Sequence, residues 1–461
     1  MLCALAVTGF YDLGHFDHND FQYGVTPVLM EHGWLYQDFS FDQTPLAAWL
    51  GFALLKLVCA RHLYVAQRVV SLLCLWKAAG FGIAICRKRT AQKNLVTLLF
   101  VAAFVALPPL VVIGGEIGNY SLGLVFFAVA LWVYLERRDW AWAVGLLAGL
   151  ATSAKLSNVY FVAAFGLLYL IGARRWRNVP AYGVGALIGL GPILFYLLRA
   201  PKVFWFENVT YHYLINIYRG VPLHVPLWPL ALVGLLVLVA APLLWAEAWG
   251  IVVLLAAAMI GLVTPAILFP QYWAPPDFLL VVLGCLIFAR RLEARPRVAV
   301  LVVSLALLLA GWRSVQMVGE ARGQLAAGNY SIIAVPGLQK RITAVMAPID
   351  ARHPGCHGEL ISAFATPAVG SGVAIARISS EGPFIMRLDP VLASKAAWFR
   401  GYSDVSRSLT PASLIMIGYD PGTGFEATMR EYASGRGFRA VGVGQFMGKE
   451  VVMEVPAGCG G

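Results

Sequence analysis

Long apolar stretches recur along the first 312 residues, and short clusters of basic residues separate them. A helix that crosses a bilayer needs about 20 predominantly apolar residues. Only 13% of the residues are charged, whereas a soluble domain has about 25%. The chain is therefore predicted to be a polytopic α-helical membrane protein. The candidate spans are residues 64–86, 94–113, 119–135, 181–199, 226–245, 249–269, 272–289 and 298–312.

The basic residues set the predicted orientation. They cluster at residues 87–93, 137–138, 174–177 and 290–297. Cytoplasmic loops carry an excess of Lys and Arg, so the net charge of +11 reflects topology and does not indicate a nucleic-acid partner. With these clusters inside, we expect about 11 crossings of the cell inner membrane, a cytoplasmic N-terminus and an outer C-terminal domain. Residues 1–10 are short for a crossing, so either the chain begins late or the first helix is incomplete.

Two apolar segments do not fit a single crossing. Residues 45–60 are short, and a crossing there would place the 87–93 cluster on the side opposite to the other clusters. They are predicted to lie in, or dip into, the outer interface. Residues 140–172 are too long for one span and have basic clusters at both ends. They are predicted to form a hairpin whose turn places Lys155 on the outer face.

The composition changes near residue 312. Residues 1–312 are predicted to form a membrane domain, and residues 313–461, with mixed charge and many turn residues, a small α/β domain outside the membrane. Apolar runs at residues 413–417 and 450–455 predict strands. Residues 425–434 are predicted to form a helix, because their helical pattern ends at Gly435.

The seven cysteines form no CxxC motif and no zinc-binding spacing. Five of them lie in apolar segments and are typical of packing residues. Cys356 and Cys459 are the only cysteines of the C-terminal domain. In an oxidising compartment they are predicted to form a disulfide.

A strongly acidic loop follows the first apolar stretch. No Lys or Arg precedes Lys56. Packing between membrane helices does not require such a loop, so the first outer loop, residues 12–62, is predicted to form the wall of an active site at the membrane surface. Its acidic residues are Asp12, Asp17, Asp20, Glu31, Asp38 and Asp42, and it also contains His15, His18, Asn19, Gln22 and Gln43.

The loop and the topology together resemble the GT-C class of membrane glycosyltransferases. These enzymes use polyprenyl-phosphate sugars and include protein mannosyltransferases and lipid A aminoarabinose transferases. The resemblance covers roughly residues 10–290. The matching residues are Asn19-Asp20, residues 27–30, Gly33, residues 36–39, Asp42, Pro45-Leu46 and Trp49, then residues 145–150 leading to Lys155, and residues 271–273 before Pro275-Pro276. Two positions depart from the pattern: Asn19 stands where an Asp is frequent, and Gln43 where a Lys often precedes the prolines.

The resemblance implies inverting transfer of a sugar from a polyprenyl-phosphate lipid donor to a hydroxyl of a glycan, lipid or protein at the outer face. A hydroxyl is a weak nucleophile, and a carboxylate that takes its proton accelerates such a step by about 10²–10⁴-fold. Asp20 is the first candidate for this base and Asp17 the second. Lys155 is predicted to stabilise the leaving phosphate. The other residues predicted to bind the donor are Asp38, Asp42, Gln43, Arg219, Gln271 and Tyr272.

Several alternatives stay open from the sequence. Glu116 and His18 are candidate ligands of a divalent metal such as Mg or Mn. Asp20 also suits a helix N-cap, and Lys155 also suits a lysine that reaches the lipid headgroups. The alternative functions are a transporter or flippase of lipid-linked sugars and a non-catalytic subunit with the same fold. A transporter would be expected to have internal repeats, which the sequence does not contain, and a non-catalytic subunit would lack the carboxylates.

Overall fold

The computed structural model describes residues 2–17, 19–137, 139–172, 176–212, 246–263, 270–292, 296–352, 358–379, 413–418 and 425–457. These residues are mainly helical and carry a small sheet near the C-terminus. The helices are α1 (Leu2–Asp12), α2 (Asn19–Leu29), α3 (Pro45–Leu57), α4 (Ala60–Arg87), α5 (Lys93–Ala106), α6 (Pro108–Val112), α7 (Asn119–Glu136), α8 (Ala141–Ala154), α9 (Val159–Ile171), α10 (Val179–Gly189), α11 (Gly191–Arg199), α12 (Pro201–Trp205), α13 (Ala246–Val263), α14 (Ala274–Leu292), α15 (Pro296–Ala326), α16 (Ser331–Arg352) and α17 (Phe425–Ser434).

Among the described residues, four helical segments are long and apolar enough to cross a membrane, or five if one bent pair is a single span. Shorter apolar helices accompany them. The predicted total of about 11 crossings stays a prediction, and the predicted span 226–245 lies outside the described residues. The four segments are Ala60–Arg87, Asn119–Glu136, Gln271–Ala289 and Arg297–Ile349.

Two predicted spans are broken helices, and proline explains each break. The predicted span 94–113 is divided between α5 and α6, where Pro108 and Pro109 follow Leu107. The predicted span 181–199 bends by 59° between α10 and α11, next to Pro192. Proline lacks the backbone N–H that an uninterrupted helix requires and disfavours helical geometry in the preceding residue.

Residues 140–172 form the predicted helical hairpin. Gly145, near the beginning of α8, and Gly166, near the end of α9, both lie against Tyr182 of α10. The beginning of α8 and the end of α9 therefore lie together. The turn between them, which contains Lys155, lies at the opposite end of the hairpin.

Glycines fix the hairpin against α10. Gly145 and Gly149 of α8 face Gly185 and Gly189 of α10, and a Cβ built on any of the four would lie less than 3.0 Å from the backbone of the facing helix. Small residues four positions apart allow membrane helices this close approach. Near the end of α8, Ser153 donates a hydrogen bond of 2.8 Å to the Gly189 carbonyl. This packing sets the position of Lys155.

The helical bundle has an acidic end and a basic end. Lys88 and Arg89, after α4, pair with Glu136 at the end of α7 with distances of 2.8 and 2.6 Å. Asn119, at the beginning of α7, instead donates to Gln43 in the acidic loop. We call the end with residues 12–44 and 113–118 the acidic end.

Helix α3 stays at the acidic end along its whole length. Before it, Thr44 donates a hydrogen bond of 2.7 Å to the Ala154 carbonyl. Near its end, Lys56 pairs with Glu31 of the acidic loop at 2.6 Å. Both ends of α3 therefore lie on the same side of the bundle, as expected for a segment 45–60 that does not cross.

The C-terminal region contains a four-stranded mixed sheet with strand order β1-β2-β4-β3. Strands β2 and β4 and helix α17 confirm the three predicted elements, whereas β1 and β3 were not predicted. Helix α15 continues past residue 312 to Ala326, so the end of this helix lies beyond the composition change. Cys356 and Cys459 lie outside the described residues, and their disulfide stays a prediction. The strands are β1 (Leu360–Ile361), β2 (Leu414–Ile417), β3 (Phe438–Phe446) and β4 (Lys449–Pro456).

The C-terminal region packs directly on the acidic loop. Phe16 and Phe21 of the loop contact Phe364 with ring centroids 5.4 Å apart, and Phe16 also contacts Phe446 at 4.9 Å. The Thr366 hydroxyl donates a hydrogen bond of 2.7 Å to the Asp20 carbonyl. The loop thus lies between the helical bundle and the C-terminal region.

Candidate functional site

Asp20 forms a fully buried ion pair. Both of its carboxylate oxygens accept from Arg68 of α4 at 3.2 Å, and neither side chain is exposed. The Asp17 backbone N–H donates to the same carboxylate at 2.9 Å, and the Ile117 N–H also contributes. Burial raises the pKa of Asp20 to about 6, although Arg68 acts in the opposite direction. The predicted base is therefore a carboxylate already occupied by protein donors.

Arg68 joins separate parts of the acidic end. Its guanidinium donates to the backbone carbonyls of Asp12, His15 and Gly115, and it approaches the Ser331 hydroxyl of α16 at 3.3 Å. A planar guanidinium with five N–H groups suits such convergence. Arg68 therefore ties α1, the acidic loop, the 113–118 loop and the C-terminal region together.

Asp17 lies in a cluster of polar side chains. One of its oxygens accepts from the Asn19 backbone and side-chain amides at 3.2 Å, and the other accepts from Gln271 at 3.4 Å. Asn19 also donates to Glu116 at 2.9 Å. Burial, together with the nearby Asp17, raises the pKa of Glu116 well above its usual range. Asp17, Asn19, Glu116 and Gln271 form one group, which we call the Asp17 cluster.

Lys155 lies beside the Asp17 cluster. Its Nζ donates to Gln43 Oε1 at 2.9 Å. It also lies 4.6 Å from the ring centroid of Tyr120 and 5.3 Å from that of Tyr272, within the range of cation–π attraction. Burial lowers the pKa of Lys155 to about 8, while Asp42 and Glu116 raise it in part. The hairpin thus brings a cation to the acidic loop, as the sequence predicts.

Gln43 links this lysine to the loop. Its Oε1 accepts from both Lys155 and Asn119, at 2.9 and 2.8 Å, and its Nε2 donates to Asp42 at 3.2 Å. The Tyr36 hydroxyl donates to the Gln43 carbonyl. The amide of Gln43 is therefore held in one orientation, with its oxygen toward the cation.

A second segment holds the loop beside Gln43. Residues Phe206–Thr210 form a π-helical turn, a feature frequent at functional sites. Glu207 in this turn accepts from the Ser40 hydroxyl and the Phe41 N–H, both at 2.6 Å, and His212 contacts the Asp42 carbonyl at 2.9 Å. Burial raises the pKa of Glu207 to about 8.

The structure brings most of the predicted site residues together. Asp17, Lys155, Gln43, Gln271 and Tyr272 are joined by the contacts described above, and Asp42 and Glu116 adjoin them. Asp38 lies elsewhere, because its carboxylate accepts from the Trp34 N–H at 2.7 Å and faces Arg377 at 4.0 Å. Arg219 and His18 lie outside the described residues. Within the described part of the chain, no three His, Cys, Asp or Glu side chains lie close enough together to hold a metal ion.

Sequence reasoning missed Arg68 and Glu207. Arg68 lies within an apolar helical segment, and a charged residue in such a segment is a signal of function. Glu207 lies among aromatic residues and is the only acidic residue of segment 199–212. Its partners, Ser40 and Phe41, are distant in sequence. The isolated acidic residue was therefore the only sequence feature that could have pointed to Glu207.

The chain resembles two solved structures of ArnT from Cupriavidus metallidurans, one in the apo state and one bound to undecaprenyl phosphate. Each comparison covers 100% of this chain and 98% of the ArnT chain with a TM-score of 0.56, at 13% and 14% sequence identity respectively. No family model matches the sequence, and no curated protein sequence matches it significantly. The chain therefore has the fold of ArnT, which confirms, at the level of fold, the resemblance drawn from the sequence.

Proposed function

We propose that this chain is an inverting membrane glycosyltransferase. It moves a sugar from a polyprenyl-phosphate donor to a hydroxyl acceptor at the acidic end of the bundle, which faces the outside of the cell inner membrane. The observation that carries the proposal is the position of Lys155 beside the Asp17 cluster, in a chain with the fold of ArnT.

Lys155 binds the donor phosphate. Its Nζ donates a hydrogen bond to the neutral amide oxygen of Gln43 and lies over the rings of Tyr120 and Tyr272. A buried cation with a neutral partner gains from an arriving anion, because the anion replaces hydration that burial has removed. One of the ArnT structures holds undecaprenyl phosphate, which supports a lipid phosphate as the ligand here.

Asp17 is the general base. Asp20 was the first candidate, but Arg68 and two backbone N–H groups engage its carboxylate, and the residue is fully buried. Asp17 is half-buried and lies beside Glu116 and Gln271. A base must reach the proton that it accepts, and the exposure of Asp17 supports that role. Asp20 and Arg68 then act as positioning residues, because Asp20 binds the backbone of Asp17.

The reaction is a single displacement at the anomeric carbon. The acceptor oxygen forms a bond to that carbon as its proton passes to the Asp17 carboxylate. The bond between the anomeric carbon and the phosphate oxygen breaks, and its electron pair stays on the phosphate. Lys155 stabilises the negative charge that develops there. The products are the glycosylated acceptor, with inverted configuration, and polyprenyl phosphate.

The test is release of polyprenyl phosphate by purified protein from a panel of polyprenyl-phosphate sugars. Asp17→Asn preserves size but removes the proton acceptor, so we expect turnover to fall by about 10²-fold or more with little change in donor binding. Asp38→Asn is the matched control within the same loop, since Asp38 lies outside the cluster.

Two outcomes would contradict the proposal. If Asp17→Asn protein is folded and releases polyprenyl phosphate at the wild-type rate, Asp17 is not the base. If wild-type protein binds the lipids but releases nothing with any sugar and acceptor class, the chain is a non-catalytic lipid-binding protein with this fold.

A further inference from the structure

Three buried oxygen atoms of the Asp17 cluster have no hydrogen-bond donor among the described residues. They are Asn19 Oδ1, Glu116 Oε1 and Gln271 Oε1, and these residues are only 1, 2 and 3% exposed. The Gln271 amide stabilises the charged form of Glu116, but it makes no hydrogen bond to Glu116 Oε1. A buried acceptor without a donor costs about 1–3 kcal/mol, so three in one place indicate a group that arrives with its own donors.

These oxygens lie next to the proposed phosphate site. Gln271 is followed directly by Tyr272, whose ring lies under Lys155, and consecutive Cα atoms are only about 3.8 Å apart. Glu116 acts electrostatically on Lys155, and Tyr120 contacts both Lys155 and Tyr272. A group attached to a phosphate at Lys155 would therefore reach the three oxygens.

We infer that Asn19, Glu116 and Gln271 form the binding site for the transferred sugar, and that this sugar is neutral or positively charged. This inference rests on the proposed function. The hydroxyl or amino groups of the sugar donate to the three oxygens. A sugar that carries a carboxylate, such as a hexuronate, is rejected.

The charges around the oxygens select against an anionic sugar. Asp17 is an acidic neighbour of the three oxygens, and Asp42 acts electrostatically on Lys155. Burial beside Asp17 raises the pKa of Glu116 and so already disfavours its charged form, and an arriving anion would disfavour that form further. Arg68 is occupied by Asp20 and backbone carbonyls, and Lys155 is occupied by the phosphate. A carboxylate on the sugar has no proton to donate to these acceptor oxygens, and the nearby acidic groups would repel it. A hydroxyl can donate to the same oxygens and is not repelled. Such unpaired, repelling groups are a common source of specificity.

The experiment compares four lipids for binding to the full-length wild-type protein: undecaprenyl phosphate, and undecaprenyl phosphate carrying a neutral hexose, an amino sugar or a hexuronate. We expect the neutral and amino-sugar lipids to bind about tenfold or more tightly than undecaprenyl phosphate. We expect the hexuronate lipid to bind more weakly than undecaprenyl phosphate. Because wild-type protein is used, this comparison does not depend on the folding of any variant.

Glu116→Gln then tests the source of the selection. This change preserves size and removes the ionisable carboxyl group. Relative to undecaprenyl phosphate measured on the same variant, binding of the hexuronate lipid should improve and binding of the amino-sugar lipid should weaken. Glu31→Gln is the matched control, since Glu31 lies in the acidic loop but pairs with Lys56 away from the cluster.

The outcomes separate this inference from the proposed function. If the hexuronate lipid binds as tightly as the neutral one, the inference is overturned while the phosphate site stands. If sugar-bearing lipids bind no better than undecaprenyl phosphate, the three oxygens do not bind the sugar. If undecaprenyl phosphate itself does not bind, the proposed function fails and this inference fails with it.

Discussion

Two buried cations meet the acidic loop, and their surroundings differ. Arg68 binds a carboxylate and three backbone carbonyls, all supplied by the protein. Lys155 donates to one neutral amide oxygen and lies over two tyrosine rings. Burial removes water from both cations. Of the two, only Arg68 has a buried carboxylate within hydrogen-bond distance that compensates for the lost hydration.

This difference separates an anchoring role from a binding role. Removal of one partner of a buried ion pair strands the charge of the other, so such a pair fixes the structure around it. A buried cation whose close partners are neutral has more to gain from an anionic ligand. We therefore expect changes at Arg68 to affect folding first and changes at Lys155 to affect phosphate binding first.

The largest expected effect is that of Arg68→Met. The change strands the Asp20 carboxylate and three carbonyls in a buried site, so we expect a loss of about 3–5 kcal/mol of stability, measured by denaturation in detergent. The double variant Arg68→Met with Asp20→Asn removes the stranded charge and should recover part of that loss. Arg61→Met is the control, since Arg61 is exposed on the same helix.

A double variant no more stable than Arg68→Met would show that the pair is not the source of the loss. An Arg68→Met protein of normal stability would contradict the anchoring role altogether.

Lys155→Ala should leave folding nearly unchanged and weaken binding of undecaprenyl phosphate by about 10²-fold. The magnitude follows from the loss of a charge-assisted contact, worth about 1.5–3 kcal/mol. Binding and thermal stability are measured on the same preparation. Lys56→Ala is the control, because Lys56 belongs to a half-exposed surface pair, and such pairs contribute little. If Lys155→Ala unfolds the protein while Arg68→Met does not, the two roles are reversed.

The sequence predicted the surroundings of Lys155 but not those of Arg68. Basic clusters at both ends of residues 140–172 predicted the hairpin, and its turn brings Lys155 against the acidic loop. The loop residues predicted Asp17 as the second candidate base and Gln43 as a donor-binding residue, and both lie close to Lys155 or its neighbours. Topology and local motifs are encoded over short distances, so these features could be inferred.

The partner of each charge could not be inferred in the same way. Asp20 was the first candidate for the base because its position matches an acidic dyad, but Arg68 lies 48 positions away in a helix that local patterns describe only as apolar. Glu207 meets Ser40 across 167 positions. Asp38 matches the loop pattern and yet lies apart from the site. Whether a carboxylate is occupied or available depends on such distant partners, which one sequence does not reveal.

Glu207→Leu should have a smaller effect, because it changes the support of the Lys155 site and leaves both cations in place. The Ser40 hydroxyl and the Phe41 N–H would lose their acceptor, so we expect a loss of about 2 kcal/mol. Glu207→Gln keeps one acceptor oxygen and should lose less. Chemical denaturation measures both, with Glu31→Leu as a control expected to cost less than about 1 kcal/mol. Equal stability of Glu207→Leu and wild type would show that these contacts do not support the loop.

The pH dependence of phosphate binding distinguishes the two cations directly. Burial lowers the pKa of Lys155 to about 8, so the lysine is charged below that pH and loses its charge above it. The second pKa of a phosphate monoester is about 6, so the charge of undecaprenyl phosphate is constant between pH 7 and 10.

Binding to wild-type protein should therefore be constant up to about pH 8. It should then weaken by as much as tenfold per pH unit, until the pKa of the phosphate-bound lysine is reached. Arginine stays charged throughout this range, so Arg68 contributes no slope, and Lys155→Arg should bind with an affinity independent of pH. The measurement is the dissociation constant of undecaprenyl phosphate at pH 7, 8, 9 and 10. The same slope in wild type and Lys155→Arg would mean that another group titrates, and that Lys155 is not the cation that holds the phosphate.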